Sequence, residues 1–141
     1  MNKILAILAA TATVATAADA ADGIRVDHLG TNNTLVRVAS DAQGRYLLMP
    51  VQESKDDATV NVLVDGKLAK TIYVRLAKSK VDYEVPLDIA PWKWHDVVLN
   101  VITTQNRSNV REAKDDACWQ NFALADTFDT ANREKFRPAY H

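Results

Sequence analysis

Beyond residue 23 the apolar residues recur at every second position, and this spacing limits what the chain can become. Val60, Val62 and Val64 alternate with Asn61 and Leu63, and Asp65-Gly66 then interrupts the run. Ile72, Val74 and Leu76 alternate with Tyr73 and Arg75 on the return. Successive side chains of a strand point to opposite faces, so this period gives each strand one apolar face. Asp-Gly between two such runs is a strong short-range hairpin signal, because a tight primed turn needs positive φ at both central residues. The pattern predicts a hairpin in which residues 68–76 pair back along 58–64.

Other segments follow the same rule. Val81, Tyr83, Val85 and Leu87 share one face, and Pro86, which cannot donate to a ladder, marks that strand as an edge or its end. Residues 97–102 are apolar on both faces and predict a central strand. Residues 24–29, 34–39 and 46–51 are shorter strand candidates, and 119–128 reads as a closing strand with Phe122 and Leu124 facing inward. Only 109–116 offers a short helix, and it reads equally well as a charged loop. Turn signals every 8 to 12 residues or so, with no sustained helical period, predict an all-β fold: an antiparallel β-sandwich of jelly-roll-like kind.

Residues 1–20 read as a signal peptide and not as part of the fold. Lys3 supplies the positive start, residues 4–18 are apolar, and small residues at 15–17 and 18–20 suit an A-x-A cleavage site. The apolar stretch falls short of the roughly 20 residues of a membrane-spanning helix, so export to the periplasm or cell exterior is expected, without a membrane span. The expected organisation is a signal peptide over 1–20, a sandwich over 21–128 and a linker over 129–141. A net charge of −1 argues against nucleic acid as a partner. The single cysteine, Cys118, cannot form an internal disulfide, and beside Trp119 it reads as a small buried apolar residue. The core must hold without a staple.

Few residues point to chemistry. Asp56-Asp57, Asp115-Asp116, Asp126 and Asp129 lie in connecting segments, where acids are mostly solvated charges, so no catalytic residue is assigned. His28, His95 and His141 stand at no ligand spacing, and neither a metal nor a cofactor is expected. Pro91-Trp92-Lys93-Trp94-His95 is the one distinctive run. Residues i and i+2 of an extended chain share a face, so Trp92 and Trp94 could form a platform for the apolar face of a sugar, with Lys93 and His95 reaching its hydroxyls. The competing reading is a plug over the end of the sandwich, since Trp is highly buried on average.

The run Phe136-Arg137-Pro138-Ala139-Tyr140-His141 resembles the lead-in to the catalytic domain of glycoside hydrolase family 32, the fructan-cleaving enzymes. Residues 46–54, 62–67, 81–88 and 126–129 are similar to the N-terminal domain that precedes the catalytic propeller in levanase- and inulinase-type enzymes of gut Bacteroidetes. In that family the lead-in continues into a motif carrying the nucleophilic Asp, and the sequence here stops at His141, before it. The resemblance implies a non-catalytic N-terminal module of a secreted hydrolase that cleaves β-linked fructans by a retaining mechanism. Its implied partner is the propeller of the same parent chain, contacted through Phe136, Arg137, Pro138 and Tyr140. A carbohydrate-binding module for a fructan polysaccharide, or a free-standing exported glycan-binding protein, are the other readings.

Overall fold

A computed structural model describes residues 17–53, 57–103 and 113–130. Among the described residues nine strands form two antiparallel sheets: β1 (Ala17–Ala21), β2 (Ile24–His28), β3 (Asn33–Val38), β4 (Tyr46–Val51), β5 (Ala58–Val64), β6 (Lys67–Val74), β7 (Tyr83–Asp88), β8 (Val97–Ile102) and β9 (Ala123–Ala125). One sheet runs β1-β2-β3-β8-β5-β6 and the other β7-β4-β9. Three pairs are nested like brackets: β5 with β6, β4 with β7 outside them, and β3 with β8 outside those. Strands β3–β8 form one long hairpin rolled over itself, which sets β8 against β5, while β1 and β2 extend the larger sheet and β9 the smaller. That is the jelly-roll principle, and the all-β sandwich read from alternation is the fold observed.

The tip of the nest is the Asp65-Gly66 turn. Both residues take positive φ, 51° and 81°, as the two-residue loop requires. Residues Val64 and Lys67 close it, and a register shift at Val62/Leu63 bends β6 as it leaves. Past Val74 the returning chain changes sheets. Leu76 bridges to Val51, Gln52 N–H donates to Arg75 C=O (2.9 Å) and Ala77 N–H to Pro50 C=O (3.0 Å), so the corner stays hydrogen-bonded. The strand predicted to reach residue 76 therefore ends at Val74.

Buried side chains stack in rows across the larger sheet. Val36, Leu99 and Val62 lie side by side, flanked by Val38, Val97 and Val64 on one side and by Thr34, Val101 and Val60 on the other. Leu47, Met49, Val51 and Leu87 close the core from the smaller sheet. β8 is central, as its two apolar faces implied, with Val98 and Ile102 half-buried on the outer side. β7 is an edge strand, and Pro86 sits in it without disturbing the ladder. Its first residue is Tyr83; Val81, expected in the strand, is exposed ahead of it.

The closing strand is shorter than predicted. Ala117–Gln120 winds a 3-10 turn, and β9 spans only Ala123–Ala125. The cause is Trp119, whose indole N–H donates to Ala113 C=O (2.5 Å) while its ring lies parallel to Phe122 at 6.1 Å. Holding a bulky ring against that carbonyl curls the chain, so that Cys118 and Trp119 enter the core from the turn, while Phe122 and Leu124 pack inward as expected of those two. Cys118 is buried and not disulfide-bonded. Of the segment read as helix or charged loop, residues 113–115 form a 3-10 turn and 109–112 lie outside the described residues. Residues 17–20, assigned to the end of the leader, lie in β1, and residues 1–16 fall outside the described residues.

Gly66 and Gly23 separate backbone strain from crowding. A Cβ on Gly66 meets open space, whereas one on Gly23 (φ +84°) lies 2.9 Å from Ala42 Cβ. Gly66→Ala should cost about 1–2 kcal/mol from the left-handed backbone alone. Gly23→Ala should cost at least about 1 kcal/mol more, because the loop must also move. Leu99→Ala, at the centre of the buried rows, should cost about 2–5 kcal/mol. Urea unfolding measures all three, and equal losses for the two glycine variants would contradict this assignment of causes.

Candidate functional site

Nested pairing gathers the β1–β2, β3–β4, β5–β6 and β7–β8 connections at one end of the sandwich, together with the exit from β9. The Trp-containing run lies at this end. Asp88 starts the β7–β8 connection by accepting Ala90 N–H (3.0 Å) on one carboxylate oxygen and an Arg45 N–H (3.1 Å) on the other. These bonds hold its carboxyl below the usual range. Pro91, whose fixed φ suits the start of a helical turn, then leads the 3-10 turn Ala90–Trp92.

The two indoles do not share a face. The expectation assumed extended chain, but residues 90–92 wind a turn and Trp94 takes a left-handed backbone at φ 72°. Trp92 is half-buried and packs against the core, with the Lys70 ammonium 5.9 Å from its ring centre. Trp94 is 69% exposed, with the Lys93 ammonium 5.2 Å from its ring centre. The plug and the platform are thus different residues. Positive φ is a genuine outlier for so bulky a side chain, and such strain clusters at functional positions. Trp94 N–H donates to Ser40 C=O (3.0 Å), and the Lys93 ammonium donates to Ala42 C=O (2.7 Å), so the β3–β4 connection holds the strained residue in place.

His95 and Lys93 are therefore committed within the protein. His95 Nδ1 lies 2.6 Å from the Asp65 carboxylate, which also accepts Asp96 N–H at 3.0 Å. Asp65 N–H in turn donates to Asp96 C=O (2.8 Å). The hairpin tip thus fixes the end of the Trp loop. The His95 hydrogen bond, then that from Asp96, holds the Asp65 carboxyl below its ordinary range.

Beside this loop lies an open groove of about 670 Å³, lined by Asp22, Arg25, Arg37, Gly66, Asp96 and Val98 among others. None of these was singled out from the sequence as a site residue; Gly66 and Val98 entered only as parts of a turn and a strand. They are far apart in the chain, and only the pairing of β2, β3 and β8 joins them; the Asp22-Gly23 and Asp65-Gly66 turn signals are the one sequence clue to where the strands end.

Several polar groups elsewhere have structural partners. At the opposite end Glu53 pairs with Arg75 and accepts the Tyr83 hydroxyl (2.5 Å). Buried Gln52 there accepts the N–H groups of Lys78 (3.0 Å) and Ser79 (2.9 Å). His28 Nδ1 and Thr34 Oγ1 are 2.9 Å apart, and the His28 ring meets Trp119 edge to face. Burial first, then nearby Lys114, pushes the His28 pKa down. Of the acids set aside as solvated, Asp57 pairs with Arg75 (3.7 Å) and Asp116 is buried with a partner; Asp115, Asp126 and Asp129 are exposed, and Asp56 lies outside the described residues. No group of three metal-binding side chains occurs among the described residues. Phe136, Arg137, Pro138, Tyr140 and His141 lie outside the described residues.

The two Trp should answer substitution differently. Trp92→Ala should destabilise by about 2 kcal/mol or more, as for a ring removed from a core edge. Trp94→Gly should change stability by less than about 1 kcal/mol, since relief of the left-handed strain offsets the lost ring. Equal losses in urea unfolding would contradict the division. Because Asp65 has a lowered folded pKa, its contribution is present above the ordinary carboxylate value of about 3.9 and is lost as pH falls through the lowered one. Asp65→Asn keeps a residue that tolerates positive φ, so it should flatten the loss of stability below about pH 4; an unchanged acid limb would contradict this.

Residues 30–140 match the family described as a domain of unknown function, DUF4980. No curated protein and no solved structure matches the chain. With most of its length matched, including β3–β9 and the Trp loop, the chain belongs to the DUF4980 family.

Proposed function

We propose that this chain is the non-catalytic N-terminal accessory module of an exported glycoside hydrolase of family 32, which cleaves fructans. The observation that carries the reading is the Phe136-Arg137-Pro138-Ala139-Tyr140-His141 run, with its likeness to the lead-in of that family's catalytic propeller. The exit from the sandwich favours it too. β9 ends opposite Tyr46, at the loop end, and the Phe128 ring meets Tyr46 edge to face at 5.1 Å. Arg45 lies over the other side of this small cluster, 5.2 Å from the Tyr46 ring centre. Polypeptide leaving here starts beside the β3–β4 connection, where Gly44 lies against Ala125. On this reading the propeller packs against the loop end, with Phe136, Pro138 and Tyr140 as the apolar contacts and Arg137 as a polar one. The acids that break the glycosidic bond belong to the propeller.

A second reading has one observation in its favour. Trp94, held exposed in a strained backbone, suits stacking on a fructan chain, which would raise the local concentration of polymer at the hydrolase.

The coding sequence after His141 should continue into Gly-Trp-Met-Asn-Asp-Pro-Asn-Gly; an immediate stop codon would contradict the module reading. The 141-residue chain should release no fructose from levan, inulin or sucrose. In the parent enzyme, removal of residues 21–128 separates the two roles. A collapse in melting temperature supports packing, and a loss of activity confined to long polymer supports binding.

A further inference from the structure

The groove beside the Trp loop has the chemistry of a site for an uncharged, polyhydroxylated ligand. Its volume of about 670 Å³ lies in the range of small-molecule sites. β2, β3 and β8 form its floor, where Arg25, Arg37 and Val98 lie side by side on the outer face of the larger sheet. Arg37 is neutralised by Asp27 at 2.9 Å. Arg25 lies opposite Asp19 in the β1–β2 register and makes no ion pair with a described side chain, and neither Asp22 nor Asp96 has a side-chain partner among the described residues. The Arg25 guanidinium and the Asp22 and Asp96 carboxylates thus line one opening, at which Gly66 contributes no side chain.

The charges select the ligand. Two carboxylates oppose a phosphate or carboxylate ligand, and the arginines oppose a cation. What satisfies both kinds of group is a ligand with neighbouring hydroxyls, each of which donates to a carboxylate and accepts from a guanidinium. Val98, half-buried in the groove floor, offers an apolar surface to the C–H face of such a ring. We infer that the groove between Asp22, Arg25 and Asp96 binds an uncharged oligosaccharide. This site uses none of the Trp92–His95 side chains and does not depend on the family 32 reading.

The test is titration of the 141-residue chain, followed by backbone amide resonances. The probes are inulin- and levan-type fructo-oligosaccharides, cello-, xylo- and malto-oligosaccharides, and sodium phosphate, each to about 10 mM. At least one oligosaccharide should shift the amides of Gly23, Arg25 and Asp96, and phosphate should not. Arg25→Ala and Asp96→Ala should each weaken that binding about tenfold with an unchanged melting temperature, because both residues are exposed. No shift with any sugar, a response to phosphate alone, or binding lost in Trp94→Ala but intact in the groove variants would overturn the inference. Binding of another oligosaccharide through Arg25 and Asp96, with fructans inert, would uphold the groove and count against the fructan reading alone.

Discussion

The two-residue turn at Asp65-Gly66 is the constraint on which the architecture depends. Only a left-handed pair of residues joins β5 to β6 with the twist the sheet requires, and every outer pair inherits its register from that closure. β4 faces β7 and β3 faces β8 because each lies one step further from the same tip. A slip of one residue there would turn Val60 and Val62 to solvent and set Asn61 in the core. The Asp65 side chain extends this control beyond the sheet. Its carboxylate anchors His95 and Asp96, so the tip of the hairpin also orders the loop that presents Trp94.

The two ends of the sandwich differ in kind. At the far end Gln52 and Glu53 direct their polar groups to the chain itself, to Lys78, Ser79, Arg75 and Tyr83, which closes the corners where strands change sheets. The loop end instead holds an indole in a strained backbone and leaves Asp22, Arg25 and Asp96 without side-chain partners among the described residues. Solvation accounts for the three exposed charges, whereas the left-handed Trp94 has no structural cause beyond its bond to Ser40. The partner or ligand proposed above would use both features.

Much of the fold was legible because burial on one face forces alternation. Val60-Asn61-Val62 and Val97-Val98-Leu99 could be read as strands directly, and Pro86 as an edge residue from its missing N–H. The reading failed where one large side chain overrides the period. Trp119 finds its partner at Ala113 and curls the segment expected to be extended. Trp92 and Trp94 were treated as strand neighbours, although Trp92 ends a 3-10 turn that contains Pro91 and Trp94 takes a left-handed backbone. The groove was invisible for another reason: Asp22, Arg37 and Asp96 have no sequence relation, and only three paired strands bring them together.

Amide hydrogen exchange tests most directly whether the loop end is where this domain meets its surroundings. The comparison is between the 141-residue chain and the same residues within the proposed parent polypeptide, with and without oligosaccharide. Added protection should concentrate at residues 22–25, 39–45 and 92–96. Protection confined to residues 52–53 and 75–83 at the opposite end would contradict the account.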